Sequence, residues 1–233
     1  MRRFAVKQYC LRKIRKIRHR KGYGVHSPFA YNLITKVIEE KSGYYAYQRI
    51  DNLHRTLHDK CKANKRKYRL LFRLVNWSKP RTVVELGSGG GNSTLYLQHG
   101  SADAHIYCIE PDDILRASAE QLLMHLPGNV TFINQTFFDG LAFLATNGVR
   151  ADFIYLHAQS DSRLYALLLP RLLAILNENG IIVVDGIRRK KENLRQWRRL
   201  VEQERVTTTF DLYNTGIAVC NPKLNKRNYI VAF

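Results

Sequence analysis

The sequence predicts an α/β protein. It reads as a mostly parallel, doubly wound sheet with an antiparallel C-terminal strand, preceded by a helical N-terminal extension. Three observations carry this. From residue 81 onward, short β-branched apolar runs alternate with helical stretches, the pattern of a parallel sheet covered on both faces. The first run ends in a cluster of glycines, Gly87, Gly89, Gly90 and Gly91. The last runs are joined by Asn214-Thr215-Gly216, a hairpin signal that adds an antiparallel strand.

The elements follow in order. Residues 2–21 carry ten Lys/Arg and no acid, and Val6, Cys10, Ile14 and Ile17 recur at helical spacing among them. Gly22-Tyr23-Gly24 breaks this helix. Ser27-Pro28 restarts the chain, with Ser as N-cap and Pro in the first turn, and Phe29, Leu33, Ile34, Val37 and Ile38 form an apolar stripe that ends near Gly43. A tyrosine-rich connection (Tyr44, Tyr45, Tyr47) leads to a basic helical stretch over 51–77, with Leu70, Leu71, Leu74 and Val75 as its stripe and Pro80 closing it. Strands are expected at 82–86, 106–109, 130–133, 153–156 and 181–184, and then a hairpin over 206–220. Helices are expected near 92–99, 113–125, 139–146, 162–176 and 190–204.

Charge divides the chain. Residues 1–80 hold 22 Lys/Arg against 4 Asp/Glu, whereas residues 81–233 hold 16 against 15. Nearly all of the +19 therefore sits in the first third. Such a segment fits an anionic partner, a nucleic acid or an anionic membrane surface through residues 1–80, or a solvated basic face. No apolar run approaches the ~20 residues that span a bilayer, and the N-terminus lacks the apolar core of a signal peptide. Cys10, Cys61, Cys108 and Cys220 lie far apart without a CxxC pair, which argues against zinc ribbons and disulfide scaffolds. The expectation is a cytoplasmic protein, peripheral at the membrane if the first helix binds lipid. Its stripe is narrow and lacks a Trp anchor, which favours packing against the rest of the chain.

The most informative stretch is Glu85-Leu86-Gly87-Ser88-Gly89-Gly90-Gly91-Asn92-Ser93-Thr94, where a strand ends and a helix begins. Glycines let the backbone turn tightly and approach a ligand without Cβ clashes. Glu85 precedes them. Glu110 ends the next strand, where an acid can accept hydrogen bonds from a ribose diol.

This combination, over residues 68–221, resembles the class I S-adenosylmethionine-dependent methyltransferases. The resemblance implies a seven-stranded sheet and S-adenosyl-L-methionine as cofactor, lying across the glycine turn. It places Glu85, Gly87, Ser88, Gly89 and Gly91 at the amino acid half of the cofactor and Glu110 at its ribose. Gln135 and Thr136 fall where the family contacts adenine, without the acid usual there. His157 falls at the catalytic mouth. A dinucleotide dehydrogenase is the competing use of such a turn, and Glu85 and the hairpin favour the methyltransferase. The domains implied are a basic helical extension over 1–67 and a cofactor-binding domain over 68–233. The segment Gly22–Phe29 is similar to one in bacterial members whose N-terminal helices pack beside the cofactor.

Within the class, the element order looks most like the catechol-type small-molecule O-methyltransferases. Those chelate a divalent cation with a carboxylate after strand four and an Asp-Asn pair after strand five. Here the positions read His157, Asp185 and Gly186, a poor donor set for a hard cation. Asp161 lies nearby, but a helix starting near Ser162 suits it as an N-cap. The activity implied is therefore methyl transfer to oxygen of a small or medium acceptor, with no metal and with His157 as candidate base. A polar lining role for His157 stays open, as does a weaker catalytic reading of His26. Two alternatives remain. An RNA methyltransferase would dock phosphates on the basic segment and on Arg188-Arg189-Lys190-Lys191, but the Asn-Pro-Pro-aromatic signature after strand four is missing. An inactive binding module would explain His157, Gly186 and Gln135.

Overall fold

The computed structural model describes residues 15, 24–56, 65–124, 126, 128–157 and 162–233. Apart from Arg15, which is helical, the basic helix expected over 2–21 lies outside these residues, as do Cys10, Cys61 and Asp161. The restart at Ser27 is as the sequence requires. Its hydroxyl accepts the Ala30 N–H at 3.3 Å, and Pro28 opens helix α1 (Pro28–Leu33), which continues into a π-helical turn over Ile34–Ile38. Within the basic stretch read as helical over 51–77, the described residues form α2 (Tyr45–Thr56) and α3 (Lys65–Ser78), and residues 57–64 lie outside the described ones. Tyr45 and Tyr47 belong to the first turn of α2 rather than to a connection. Tyr44 and Tyr47 meet each other and Phe72 edge to face at 5.0–5.2 Å, so they are packing residues.

From residue 82 the alternation holds. Strands β1 (Thr82–Leu86), β2 (His105–Ile109), β3 (Asn129–Ile133), β4 (Ala151–Leu156) and β5 (Leu176–Asp185) are interleaved with α4 (Asn92–Gly100), α5 (Asp113–Leu123), α6 (Phe137–Thr146) and α7 (Ser162–Ile175). Helix α8 (Lys191–Glu202) then leads to β6 (Thr208–Asp211), β7 (Thr215–Val219) and β8 (Arg227–Ile230). The strand order is β3-β2-β1-β4-β5-β7-β6-β8. Only β7 runs against its neighbours, pairing antiparallel with both β5 and β6. The sheet therefore has eight strands, not seven. The additional β8 pairs in parallel with β6 at the border. Its sequence, Arg-Asn-Tyr-Ile, is too polar to register as an apolar run.

Alternate residues of each central strand serve opposite faces. Val83, Ile106, Phe153 and Val183 pack with α1–α5, including Leu33, Leu71, Leu74, Leu95 and Leu122. Val84, Ile109, Ile154 and Val184 pack with α6–α8, through Leu141, Leu168, Leu172 and Trp197. The N-terminal helices thus share one core with the sheet, and α3 runs through residues 67 and 68 without a break.

Cations of the N-terminal region hold this arrangement at specific points. Arg15 reaches both oxygens of Asp211, at 2.8 and 3.3 Å, and Arg188 takes the same carboxylate at 2.7 and 2.5 Å. Burial would raise the Asp211 pKa, but the hydrogen bonds and charges of Arg188 and Arg15 hold it below the usual carboxylate value. Both guanidiniums lie 5.3 Å from the centre of the Tyr213 ring. Arg73 is buried and spends its donors on the end of the π-helical turn: Nε donates to the Val37 carbonyl at 2.6 Å, Nη2 to the Ile38 carbonyl at 3.3 Å and Nη1 to the Tyr47 hydroxyl at 3.4 Å. Replacing it strands these acceptors away from water. Arg73→Met is expected to lower unfolding free energy by about 2–4 kcal/mol, whereas the exposed Arg198→Met should stay within about 0.5 kcal/mol of the parent. Urea unfolding of the three proteins checks this.

Candidate active site

The register of the sheet assembles the site. Leu86 pairs with Ile109 on one side and Leu156 on the other, and Leu156 pairs with Val184. The next residue on each strand therefore falls in one row along the carboxyl ends, namely Gly87, Glu110, His157 and Asp185. In an open parallel sheet, ligands lie in this position, where the strand order reverses. Here the reversal is at β1, between β2 and β4.

The glycine turn is shaped for close approach. Gly87, Gly89 and Gly91 all have positive φ, at 83°, 53° and 83°. A Cβ on Gly91 would stand 2.8 Å from the Ala119 Cα, so this glycine lets α4 and α5 come together. A Cβ on Gly89 would meet nothing within 4 Å, so its backbone faces open space. Glu110 closes the turn. Its Oε2 accepts the Gly89 N–H at 2.9 Å and the Ser88 hydroxyl at 3.3 Å, and its Oε1 accepts the Asp112 N–H at 3.2 Å. The predicted cofactor residues Gly87, Ser88, Gly89 and Glu110 are thus one connected group.

Glu85 has a different place. It is fully buried beneath the turn and accepts the hydroxyls of Ser93, at 2.5 Å, and Thr94, at 2.6 Å, from the first turn of α4. Its contacts tie strand to helix, and no polar atom of it faces the open side of the glycines. Thr136 is the N-cap of α6, accepting the Asp139 N–H at 3.2 Å and donating to its carboxylate at 2.7 Å. Gln135 beside it is exposed, two residues beyond the end of β3. Both lie at the same carboxyl rim as Glu110.

At the other half of the row, the His157 backbone N–H donates to the Leu86 carbonyl at 3.1 Å. Its Nε2 lies 4.0 Å from Asp185 Oδ2. The same oxygen accepts from the Lys67 ammonium at 2.8 Å, and the Thr215 hydroxyl approaches Oδ1 at 3.5 Å. Lys67 and Asp185 are largely buried, with side chains 13% and 9% exposed, so this ion pair is sheltered from solvent. Burial lowers the His157 pKa, and the charges of Lys67 and Arg189 lower it further, against the opposing effect of Asp185. These effects favour the neutral imidazole, the form that can accept a proton. Among the described residues, no group of three His, Cys, Asp or Glu side chains is placed to hold a metal ion.

Lys67 is the site residue that sequence reasoning missed. It stands in a run of cations over 62–69, and nothing in that run marks one lysine as different. Only its contact with Asp185 at the end of β5 selects it. Among the described residues, no helix is long and apolar enough to cross a membrane.

Residues 84–187 match the family model of a methyltransferase domain. No curated protein matches the chain in sequence. Among solved structures, the chain is similar to an O-methyltransferase from Bacillus cereus in complex with SAH, with 18% identity, TM-score 0.61, and coverage of 82% of this chain and 96% of that one. It is similar to the O-methyltransferase TomG from Streptomyces achromogenes in complex with SAM, with 17% identity, TM-score 0.58, and coverage of 77% and 91%. A SAH-bound methyltransferase from Podospora anserina matches at 17% identity and TM-score 0.60, over 83% of this chain and 95% of that one. At these identities the likeness is one of fold.

The buried Glu85 makes stability depend on pH. Burial raises its pKa from 4.5 to about 7, against the hydrogen bonds of Ser93 and Thr94. The unfolded chain releases this proton first. The carboxyl therefore costs the fold nothing below the unfolded pKa, progressively more as pH rises through the window between the two values, and its full amount, roughly 3 kcal/mol, above the folded one. Glu85→Gln is expected to flatten this slope. Whatever constant offset the amide introduces, the stability of the variant relative to the parent should rise between pH 4.5 and pH 8, read by urea unfolding across that range.

Proposed function

We infer that this chain, a methyltransferase by its domain over 84–187 and its Rossmann-like fold, binds S-adenosyl-L-methionine and methylates oxygen. The acceptor is a small or medium molecule, and no divalent metal takes part. The observation that carries the reading is the row of Gly87, Glu110, His157 and Asp185 along the reversal point of the sheet.

The residues present fit the cofactor. Gly89 leaves the space above the turn free of side chains, Gly87 and Gly91 give the turn its path, and Ser88 and Glu110 offer polar groups at its rim. Glu110 would exchange the Gly89 N–H and the Ser88 hydroxyl for the ribose diol. Gln135 and Thr136, exposed at the end of β3, are assigned to the adenine side. Glu85 supports the amino acid half by fixing the first turn of α4 rather than by contact. When bound, the cofactor supplies a methyl carbon on a sulfonium, which leaves as a neutral thioether as the acceptor oxygen takes the methyl.

The chain's own work is alignment, exclusion of water and movement of one proton. His157 Nε2 is assigned to take the proton from the acceptor hydroxyl, and its lowered pKa keeps it unprotonated for that step. The donor set does not fit a hard divalent cation. Of the three positions, His157 offers nitrogen, Gly186 offers no side chain, and Asp185 is already bound to an ammonium.

Glu110→Ala tests the cofactor site. It removes a charged acceptor worth about 1.5–3 kcal/mol per hydrogen bond, so affinity for S-adenosylmethionine should fall roughly 10- to 100-fold, with Glu110→Gln intermediate. Calorimetry with the folded protein reads this. Absence of binding by the parent protein at millimolar cofactor would refute the function itself.

A further inference from the structure

We propose that the cavity between helix α3, the end of the π-helical turn and residues 232–233 binds a phosphate ester of a small molecule, at a site separate from the methyl-transfer row. This goes beyond the methyltransferase reading and does not depend on it. The cavity has a volume of about 730 Å³, within the ~300–1,000 Å³ of small-ligand sites. Among the described residues, its lining includes none of Gly87, Glu110, His157 and Asp185. Arg66, Arg69 and Arg73 form one wall. Their spacing of three and four puts them on one face of α3, whereas Lys67 leaves the same helix toward Asp185.

The three guanidiniums hold unused donors at different depths. Arg73 is innermost and 7% exposed. A guanidinium has five N–H donors, so after the bonds to Val37, Ile38 and Tyr47 one N–H on each terminal nitrogen of Arg73 is left over. Arg69 lies next, 4.6 Å from the centre of the Tyr47 ring. Its Nη2 reaches Asp51 at 3.4 Å, and its buried Nε has no hydrogen-bond partner. Arg66 stands at the exposed rim, 4.3 Å from the centre of the Phe233 ring, with no hydrogen bond or ion pair among the described residues.

These donors are also like charges. Burial lowers the Arg66 pKa, and the charge of Arg73 lowers it further, so the two repel each other across the cavity. An anion between them would satisfy the open donors and relieve the repulsion. Two acids line the same cavity without doing so. Glu40 turns Oε1 to the backbone N–H groups of Lys41 and Ser42, at 2.6 Å each, and Glu39 makes no ion pair with Arg66, Arg69 or Arg73. A phosphate monoester brings three acceptor oxygens to several guanidinium forks, where a carboxylate brings two. The volume exceeds what a bare ion needs, and the Tyr47 and Phe233 rings on its walls give an organic group apolar contact.

The test is calorimetry on the full chain with phenyl phosphate, inorganic phosphate and benzoate as probes. Phenyl phosphate should bind at one site, about tenfold or more tighter than either of the others. Arg66→Gln and Arg69→Gln should each weaken it about tenfold, and Arg69→Lys, which keeps the charge and loses the fork, should fall between. Arg198→Gln, on the exposed face of α8, should leave the affinity unchanged. Urea unfolding without ligand confirms that each variant is folded, and Arg66→Gln at the rim decides the matter if Arg69→Gln is not. No binding of phenyl phosphate, equal binding of the three probes, unchanged affinity in Arg66→Gln, or an effect of Arg198→Gln as large as that of Arg66→Gln would each overturn the proposal. So would displacement of phenyl phosphate by S-adenosylmethionine, which would put the probe in the methyl-transfer row. A parent protein that binds phenyl phosphate and fails to bind the cofactor refutes the methyltransferase reading alone.

Discussion

Everything at the site depends on the reversal of strand order at β1. A right-handed crossover from β1 to β2 and β3 carries the chain to one side of the sheet, and the return to β4 and β5 carries it to the other. The connections on either side of β1 therefore diverge, and the carboxyl ends of the central strands border a crevice that no crossing helix fills. Because the parallel pairs are in register, residues far apart in sequence become neighbours there. Gly87, Glu110, His157 and Asp185 span 99 positions of the chain and occupy one row of the sheet. The paired strands beneath them are apolar and buried on both faces, so the row cannot slip by a residue without turning Val83 and Val84 to the wrong cores.

The positive charge of the N-terminal third has a more particular use than its total suggests. Arg15 meets Asp211, Lys65 and Arg69 share Asp51, Lys67 meets Asp185, and Arg73 ends the π-helical turn. Arg15 and Lys67 each meet one carboxylate in a largely buried contact, Arg73 is buried on three acceptors, and the Lys65 and Arg69 pairs with Asp51 are more exposed. A segment whose composition reads as a polyanion-binding surface is in these places a set of internal fasteners. Burial explains why they matter. An ion pair at the surface is weak because water competes for both partners, but breaking a sheltered one leaves a desolvated charge behind.

The fold was legible because its signals are local. Val83, Val84 and Leu86 form an apolar run that glycines terminate, and the same grammar recurs at β2 to β5. The N-cap at Ser27 and the glycine turn are written in residue types that few other backbones require. What escaped was decided by tertiary contact. Strand β8 has one exposed face and no apolar period, so only its pairing with β6 defines it. The tyrosines near 45 read as a connection because aromatic residues mark neither a helix nor its start, and their packing on Phe72 settles the matter. The candidate site divides in the same way. The glycines and Glu110 are visible as a spacing, whereas the role of Glu85 under the turn and the arrival of Lys67 from α3 depend on which elements cross above and below the sheet.

The borders of the sheet bear on how the protein behaves at high concentration. An unpaired strand edge is a template for another chain, and a long flat apolar edge invites filaments. Here one border is β8, a four-residue strand with Arg227 and Asn228 exposed. The exposed charge of Arg227 on this edge disfavours pairing with a second copy. The other border is β3, whose exposed Asn129 and Thr131 alternate with half-buried Val130 and Phe132, and His105 on the adjoining strand already engages the Thr131 hydroxyl at 2.8 Å. By lengthening the sheet with a short polar strand, the C-terminal segment moves the growing edge away from β6, whose Thr208, Thr209 and Phe210 are buried, and so withholds from neighbouring molecules the stretch best suited to propagate a β-structure.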